Sequence, residues 1–234
     1  MKESTEEALI LSKEKMQKVA SERVSEIAKG FTEGFRFLED YPKSVTFFGA
    51  NQFKEDNPYY MSARELASRV VKDLGYSVFS GGGPGIMEAA NRGAYEAGGD
   101  SLGLLIRLPS EQAVNKYITD KFSSYYFFIR KVCLSFSAEA FIFFPGGFGT
   151  LDEFFEILTL IQTKKIAGVP LICVGSEYWN ELKKFMEKEI LRRGAVMPQD
   201  LELFRIIDNH DEIIDIIRKV RVRTDIPFGE EDVK

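Results

Sequence analysis

Three stretches of this chain hold residues whose types and spacing could do chemistry. Two are glycine-rich turns, Ser80-Gly81-Gly82-Gly83-Pro84-Gly85 and Pro145-Gly146-Gly147-Phe148-Gly149-Thr150. Glycine lets the backbone take positive φ and lets a ligand approach the amides closely. Where such a turn opens a helix, free N–H groups and a partial positive charge favour an anion. One glycine turn is as readily plain turn chemistry as a ligand site. Two at equivalent ends of one sheet point to a single phosphorylated ligand held between them. Thr150-Leu151-Asp152-Glu153 follows the second turn directly. It has the form of a capping box, in which Thr150 caps the helix and Glu153 returns the bond. The glycines before it offer another reading, a hydroxyl on a phosphate and a carboxylate facing a sugar. The third stretch is Arg130-Lys131, a charge pair inside the apolar run 125–136. Burying an unpaired charge is costly, so this pair needs partners. A snorkelling surface pair is the bland alternative.

The turns also say what the ligand is not. A dinucleotide fingerprint counted from Gly83 needs glycine where Glu88 stands, and Arg107 follows the next strand where an acid is required. The triphosphate-binding G-x-x-x-x-G-K-[ST] pattern is missing. A mononucleotide or a sugar phosphate fits better. His210 is the single histidine of the chain. That count rules out clustered-histidine metal sites and argues against His-assisted Ser or Cys triads. Its place in Asp208-Asn209-His210-Asp211 suggests a surface or capping role at a helix start. Catalysis would therefore rest on carboxylates, Arg, Lys, Tyr or backbone amides. Lys131, Lys164 and Lys165 sit in no motif that marks a Schiff base, so pyridoxal-dependent decarboxylation is not indicated.

The elements that must position these residues follow from the apolar pattern. Residues 1–40 read as helix, with Ile27, Phe31, Phe35 and Leu38 as one stripe that covers the sheet or a partner subunit. From residue 44, short strands (44–49, 76–80, 101–106, 138–144, 169–174, 203–208) alternate with helices. One helix runs to Leu74, one to about Ala97, and others over 129–136, 151–163, 177–193 and 211–219. Residues 107–120 read as a loop and 121–128 as a strand or strand edge. This alternation predicts an α/β fold, a Rossmann-like doubly wound parallel sheet flanked by helices, with an N-terminal helical extension. The expected division is 1–43 for the extension, 44–220 for the nucleotide-binding domain and 221–234 for a polar tail. In such sheets ligands bind outside the carboxyl ends of the strands, where both glycine turns fall.

At 234 residues the chain suits one large domain. Its 44% hydrophobic and 29% charged content is ordinary globular composition. The net charge of -5 offers no broad field to nucleic acid. No apolar run reaches membrane-span length, and the charged N-terminus does not read as a signal peptide. Cys133 and Cys173, both in apolar runs, read as buried free thiols. A cytoplasmic protein without membrane or nucleic-acid partners is expected.

Pro145-Gly146-Gly147-Phe148-Gly149-Thr150-Leu151-Asp152-Glu153 matches P-G-G-x-G-T-x-x-E, and with it the chain resembles the Lonely Guy family, often mislabelled as lysine decarboxylases. The run 80–94 and Arg130-Lys131 resemble further motifs of that family, over about residues 44 to 175 and most closely its longer bacterial branch. The resemblance implies a phosphoribohydrolase, an N-glycosidase that splits a nucleoside 5′-monophosphate, AMP or a cytokinin riboside monophosphate, into free base and ribose 5-phosphate. It implies Arg130 and Glu153 as the catalytic pair. It implies substrate contacts at Gly83, Gly85, Glu88, Glu111, Lys131, Gly146, Gly147, Gly149, Thr150 and Thr159. No metal or organic cofactor is implied, and a homodimer or higher homo-oligomer is. A non-catalytic nucleotide-binding or sensing protein on the same fold is the alternative. The chain departs from the family after its first strand, with Gly49-Ala50-Asn51-Gln52 where G-S-A-R is usual. Substrate preference is expected to differ accordingly.

Overall fold

A computed structural model describes residues 13–107, 114–136, 138–166 and 168–221. The elements in chain order are α1 (Lys13–Glu39), β1 (Ser44–Phe48), α2 (Pro58–Leu74), β2 (Ser77–Ser80), α3 (Ile86–Glu96), β3 (Ser101–Ile106), β4 (Asp120–Ser124), α4 (Phe127–Phe136), β5 (Ala140–Phe143), α5 (Phe148–Gln162), β6 (Leu171–Cys173), α6 (Ser176–Phe185), β7 (Arg205–Ile206) and α7 (His210–Arg218). The seven strands form one sheet in the order β4-β3-β2-β1-β5-β6-β7. Every pairing is parallel.

Successive strand residues point to opposite faces, so the apolar runs of β1 and β5 feed two separate cores. Phe48, Phe141 and Phe143 pack on one face with Phe154 of α5 and Trp179 of α6. Val45, Phe47, Ala140 and Ile142 pack on the other with α2, α3 and the Ile213, Ile214 and Ile217 stripe of α7. The fold is the expected doubly wound α/β sheet.

The apolar stripe of α1 lies against the first of these cores, through Ile27, Phe31, Phe35 and Leu38. Gly30 and Gly34 lie along the same side. A Cβ at Gly30 would stand 2.7 Å from Ile129 Cδ1, and one at Gly34 would stand 2.5 Å from Cys133 Sγ. The absent side chains allow α1 to sit directly on α4.

Three boundaries differ from the sequence reading. The run 121–128 does not stay extended. β4 ends at Ser124, whose hydroxyl donates to the Tyr126 carbonyl at 2.9 Å, and α4 begins at Phe127. The helix expected from 177 ends as regular α-helix at Phe185, passes through a π turn (Met186–Ile190), and closes at left-handed Gly194. The third change, at α5, alters the site.

Gly93 lies mid-helix in α3, where the backbone of α2 comes closest. A Cβ there would collide with the Arg64 carbonyl oxygen and stand 3.0 Å from Ser68 N. Helix propensity alone favours Ala over Gly by about 1 kcal/mol, but overpacking costs about 1–3 kcal/mol and backbone cannot step aside. Gly93→Ala should therefore lose net stability, by roughly 1–2 kcal/mol in urea unfolding. A stabilised variant would show that propensity outweighs the close approach.

Candidate active site

From β1 the crossovers run outward through β2 and β3 to β4, and from β5 they run the other way through β6 to β7. The strand order thus reverses between β1 and β5, where the loops leaving their carboxyl ends diverge and open a crevice. A cleft of about 470 Å³ occupies that place. It is lined by residues 47–52 at the end of β1 and just beyond it, by Gly81 after β2, and by Gly147, Phe148, Gly149, Thr150 and Glu153 after β5. The two glycine turns converge on it.

A single backbone unit ties the loops together. Ala50 N donates to Pro145 O at 3.0 Å, and Ile86 N donates to Ala50 O at 3.0 Å. Ala50 therefore bridges one glycine turn to the helix opened by the other. This approach leaves no room at Gly85, which has φ 71° and whose Cβ would strike the Ala50 carbonyl oxygen.

α5 begins at Phe148, with Gly147 as its N-cap and no side-chain cap bond. Thr150 is thus the third helical residue and Glu153 lies one turn further on. The capping-box reading of this pair is corrected: glycine, not threonine, ends the loop, so the helix starts three residues early. Thr150 is buried, and a Cβ on Gly146 would collide with its hydroxyl. The first intrahelical bond into this turn is Leu151 N to Gly147 O at 3.0 Å. As the first turn of α5, the amides of residues 148–150 have no intrahelical acceptor, the arrangement that favours an anion at a helix start.

Arg130 enters from α4. Its Nε donates to the Leu104 carbonyl of β3 at 2.7 Å, and its Nη1 stands 3.3 Å from Glu153 Oε1. A Cβ on Gly81 would collide with its guanidinium. Both side chains are largely shielded, at 12% and 18% exposure. Burial pushes the Glu153 carboxyl up to about 7. Arg130 opposes that rise, and the charge of Asp152 adds to it. The site thus holds a carboxyl that changes charge near neutrality, aimed at a cleft and steadied by a guanidinium. Such tuning is common in catalytic acids and bases.

The other expected contacts are spread more widely. Lys131 points to the outer side of α5, where it pairs with Asp152 at 2.9 Å and Glu156 at 3.0 Å. Thr159 donates back to the Phe155 carbonyl at 2.7 Å and borders an outer groove with Phe148, Leu151 and Leu160. Glu88 accepts from Tyr60 Oη at 3.0 Å. The carbonyl of Gly83 accepts from Asn115 Nδ2, and that of Gly146 from Tyr178 Oη at 2.8 Å. Glu111 lies outside the described residues. His210 stands apart from the cleft, with Asn209 as the cap of α7 and its own Nε2 2.9 Å from Ser62 Oγ.

Sequence reasoning missed Phe47, Phe48, Met87, Ile106 and Phe127 as cleft lining. Apolar side chains at strand ends give no signal apart from the core. Asn51 and Gln52, noted as a departure, do line it. Among the described residues no group of His, Cys, Asp and Glu is placed to hold a metal ion. No helix among them is long and apolar enough to cross a membrane.

The raised carboxyl has a consequence for stability. A folded-state value above the ordinary 4.5 means the fold prefers protonated Glu153. Stability is therefore full below about 4.5 and falls as pH rises towards 7, by up to about 3 kcal/mol. Glu153→Gln should remove this loss. Its melting temperature should match the native protein near pH 4.5 and exceed it at pH 8. Parallel melting profiles for the two across that range would contradict the assignment.

Residues 87–217 match a family model described as possible lysine decarboxylase. A cytokinin riboside 5′-monophosphate phosphoribohydrolase of Arabidopsis thaliana is 26% identical over 176 residues, covering 74% of this chain and 76% of the plant protein. A protein of the same name from Rhodococcoides fascians is 26% identical over 161 residues, covering 67% and 80%. Among solved structures, a structural-genomics target called TM1055 superposes with a TM-score of 0.56 at 24% identity, covering 76% of this chain and 99% of its own. The molybdenum cofactor carrier protein of Chlamydomonas reinhardtii superposes at 0.57 with 20% identity, covering 76% and 97%. On the family match, the bacterial and plant relatives and the shared fold, this chain belongs to the Lonely Guy family.

Proposed function

We propose that this protein hydrolyses the N-glycosidic bond of a nucleoside 5′-monophosphate, AMP or a cytokinin riboside monophosphate, to free base and ribose 5-phosphate. The observation that carries this reading is Glu153 against Arg130 in a cleft bordered by two glycine turns. Breaking the bond between base and sugar builds positive charge on the ribose ring. A carboxylate aimed at that ring stabilises the charge and orients or deprotonates the attacking water. Glu153 takes that role. Arg130 holds the carboxylate in place and steadies the departing base. The amides at the start of α5, with Thr150, receive the phosphate. Binding at the phosphate then positions the sugar, several bonds away from the one that breaks. Glu153 must be ionised to act in this way, so kcat/KM should fall as pH drops through about 7.

Glu153→Gln and Arg130→Ala should each reduce base release from AMP at least about a hundredfold, measured by chromatography. Near-normal release by both refutes the reading. A second reading is a nucleotide-binding protein that does not cleave. Ala50 and Gln52, in place of the usual hydroxyl and guanidinium, favour it. A panel of monophosphates separates the two: bound nucleotide without free base decides for the second.

The same proposal extends to assembly. Phe148 is 93% exposed and continues into the outer groove of α5 with Leu151, Phe155 and Leu160. A second copy of the chain covers this apolar strip. Light scattering at low micromolar concentration should give at least twice the chain mass, and a clean monomer rejects the assembly.

A further inference from the structure

Beside the first glycine turn, outside the residues that line the cleft, lies a buried polar network. At its centre is Asn91 of α3, which is fully buried. Its Oδ1 accepts from Ser80 Oγ at 2.6 Å and from Asn115 Nδ2 at 2.9 Å. Its Nδ2 donates to Ser101 Oγ at 2.9 Å and to the Leu102 carbonyl at 3.2 Å. The amide thus uses its full capacity of two donors and two acceptor positions.

Asn115 extends the network to the turn. Its backbone N donates to Gly82 O at 3.0 Å, and its Nδ2 donates to Gly83 O at 3.1 Å. Gly82 N in turn donates to Ser80 Oγ at 2.9 Å. Two successive carbonyls of a glycine-rich turn are therefore pulled to one side. A trans peptide carries its N–H opposite its C=O, so fixing the Gly82 carbonyl also fixes the direction of the Gly83 amide. Glycines alone impose no such direction, since they resist peptide rotation least. Asn115 belongs to no helix or strand. The residue that aims the turn thus comes from a loop, and Asn91 holds that residue in place.

We propose that Asn115, oriented by Asn91, is a positioning residue that sets the peptide direction of the Gly82–Gly83 turn and through it the cleft's affinity for a phosphoryl group. The phosphoryl part rests on the reading given under Proposed function; the control of the turn does not. Asn115→Ala and Asn115→Ser test it: both remove the side-chain amide that ties residue 115 to Asn91 and Gly83, and with it the anchor that holds the backbone N–H of residue 115 on the Gly82 carbonyl, while the second keeps a short donor if the first folds poorly. Two readouts apply. Ribose 5-phosphate binding by calorimetry should weaken about tenfold or more, the scale of one or two lost hydrogen bonds, while kcat at saturating AMP stays within about threefold. Amide hydrogen exchange at Gly82 and at position 115, whose N–H groups donate to Ser80 Oγ and the Gly82 carbonyl, should speed up by at least about tenfold while α3 and β3 keep native protection.

Unchanged exchange at the turn overturns the proposal. So does equal loosening of the turn, α3 and β3, which would mean a general packing role. A wild-type protein that neither binds ribose 5-phosphate nor releases base defeats the phosphate reading instead. The exchange pattern at Gly82 and at position 115 still decides the role of Asn115 in that case.

Discussion

A carboxyl group next to a guanidinium would normally be well ionised. Glu153 is not, because burial outweighs the attraction of Arg130. The rest of the site can be understood as the means of keeping that balance. Arg130 is committed to the Leu104 carbonyl through Nε, so only one end of its fork reaches the acid. Gly81 gives the guanidinium room. The early start of α5 puts Glu153 one turn inside the helix instead of at its cap. A more exposed acid would titrate like an ordinary one and respond little to its surroundings.

The sheet makes this arrangement possible by its order. Loops leave β1 and β5 at the one place where crossovers part in opposite directions. The same backbone unit, Ala50, closes the space between the two glycine turns with one donated and one accepted bond. Parallel strands also leave each following helix with its N-terminus at this end of the sheet. Those helix ends are put to different uses. At α6 the Asp208 carboxylate accepts from Gly175 N at 2.7 Å and Ser176 N at 3.1 Å, so the chain fills that position itself. At α5 no side chain caps the helix, and the cleft opens there. One helix end is satisfied internally and the other is left for a ligand.

The charged pair 130–131 separates into two roles for a simple geometric reason. Adjacent residues on a helix point about 100° apart. Arg130 reaches inward to β3 and the cleft, while Lys131 reaches along the outer face of α5 to Asp152 and Glu156. Burial disfavours the Lys131 charge, but the two acids outweigh it and raise its pKa. The pair therefore clamps α4 to α5 from both sides, which fixes the distance between Arg130 and Glu153.

By itself the sequence determined the class of fold, because alternation of short β-rich runs with amphipathic helices has few other solutions. It also marked the two glycine turns and the acid after the second, since backbone freedom and charge are properties of local residue types. The convergence of those turns depends on strand order, which no local pattern encodes. Whether Glu153 capped a helix or faced a cleft depended on where α5 starts, a matter of three residues set by the extended N-cap at Gly147. The apolar lining, from Phe47 to Phe127, reads as core in the sequence and becomes a wall only where the sheet ends. Asn91 and Asn115, twenty-four residues apart, become partners only because β3 returns beside β2 and brings the following loop back over the turn.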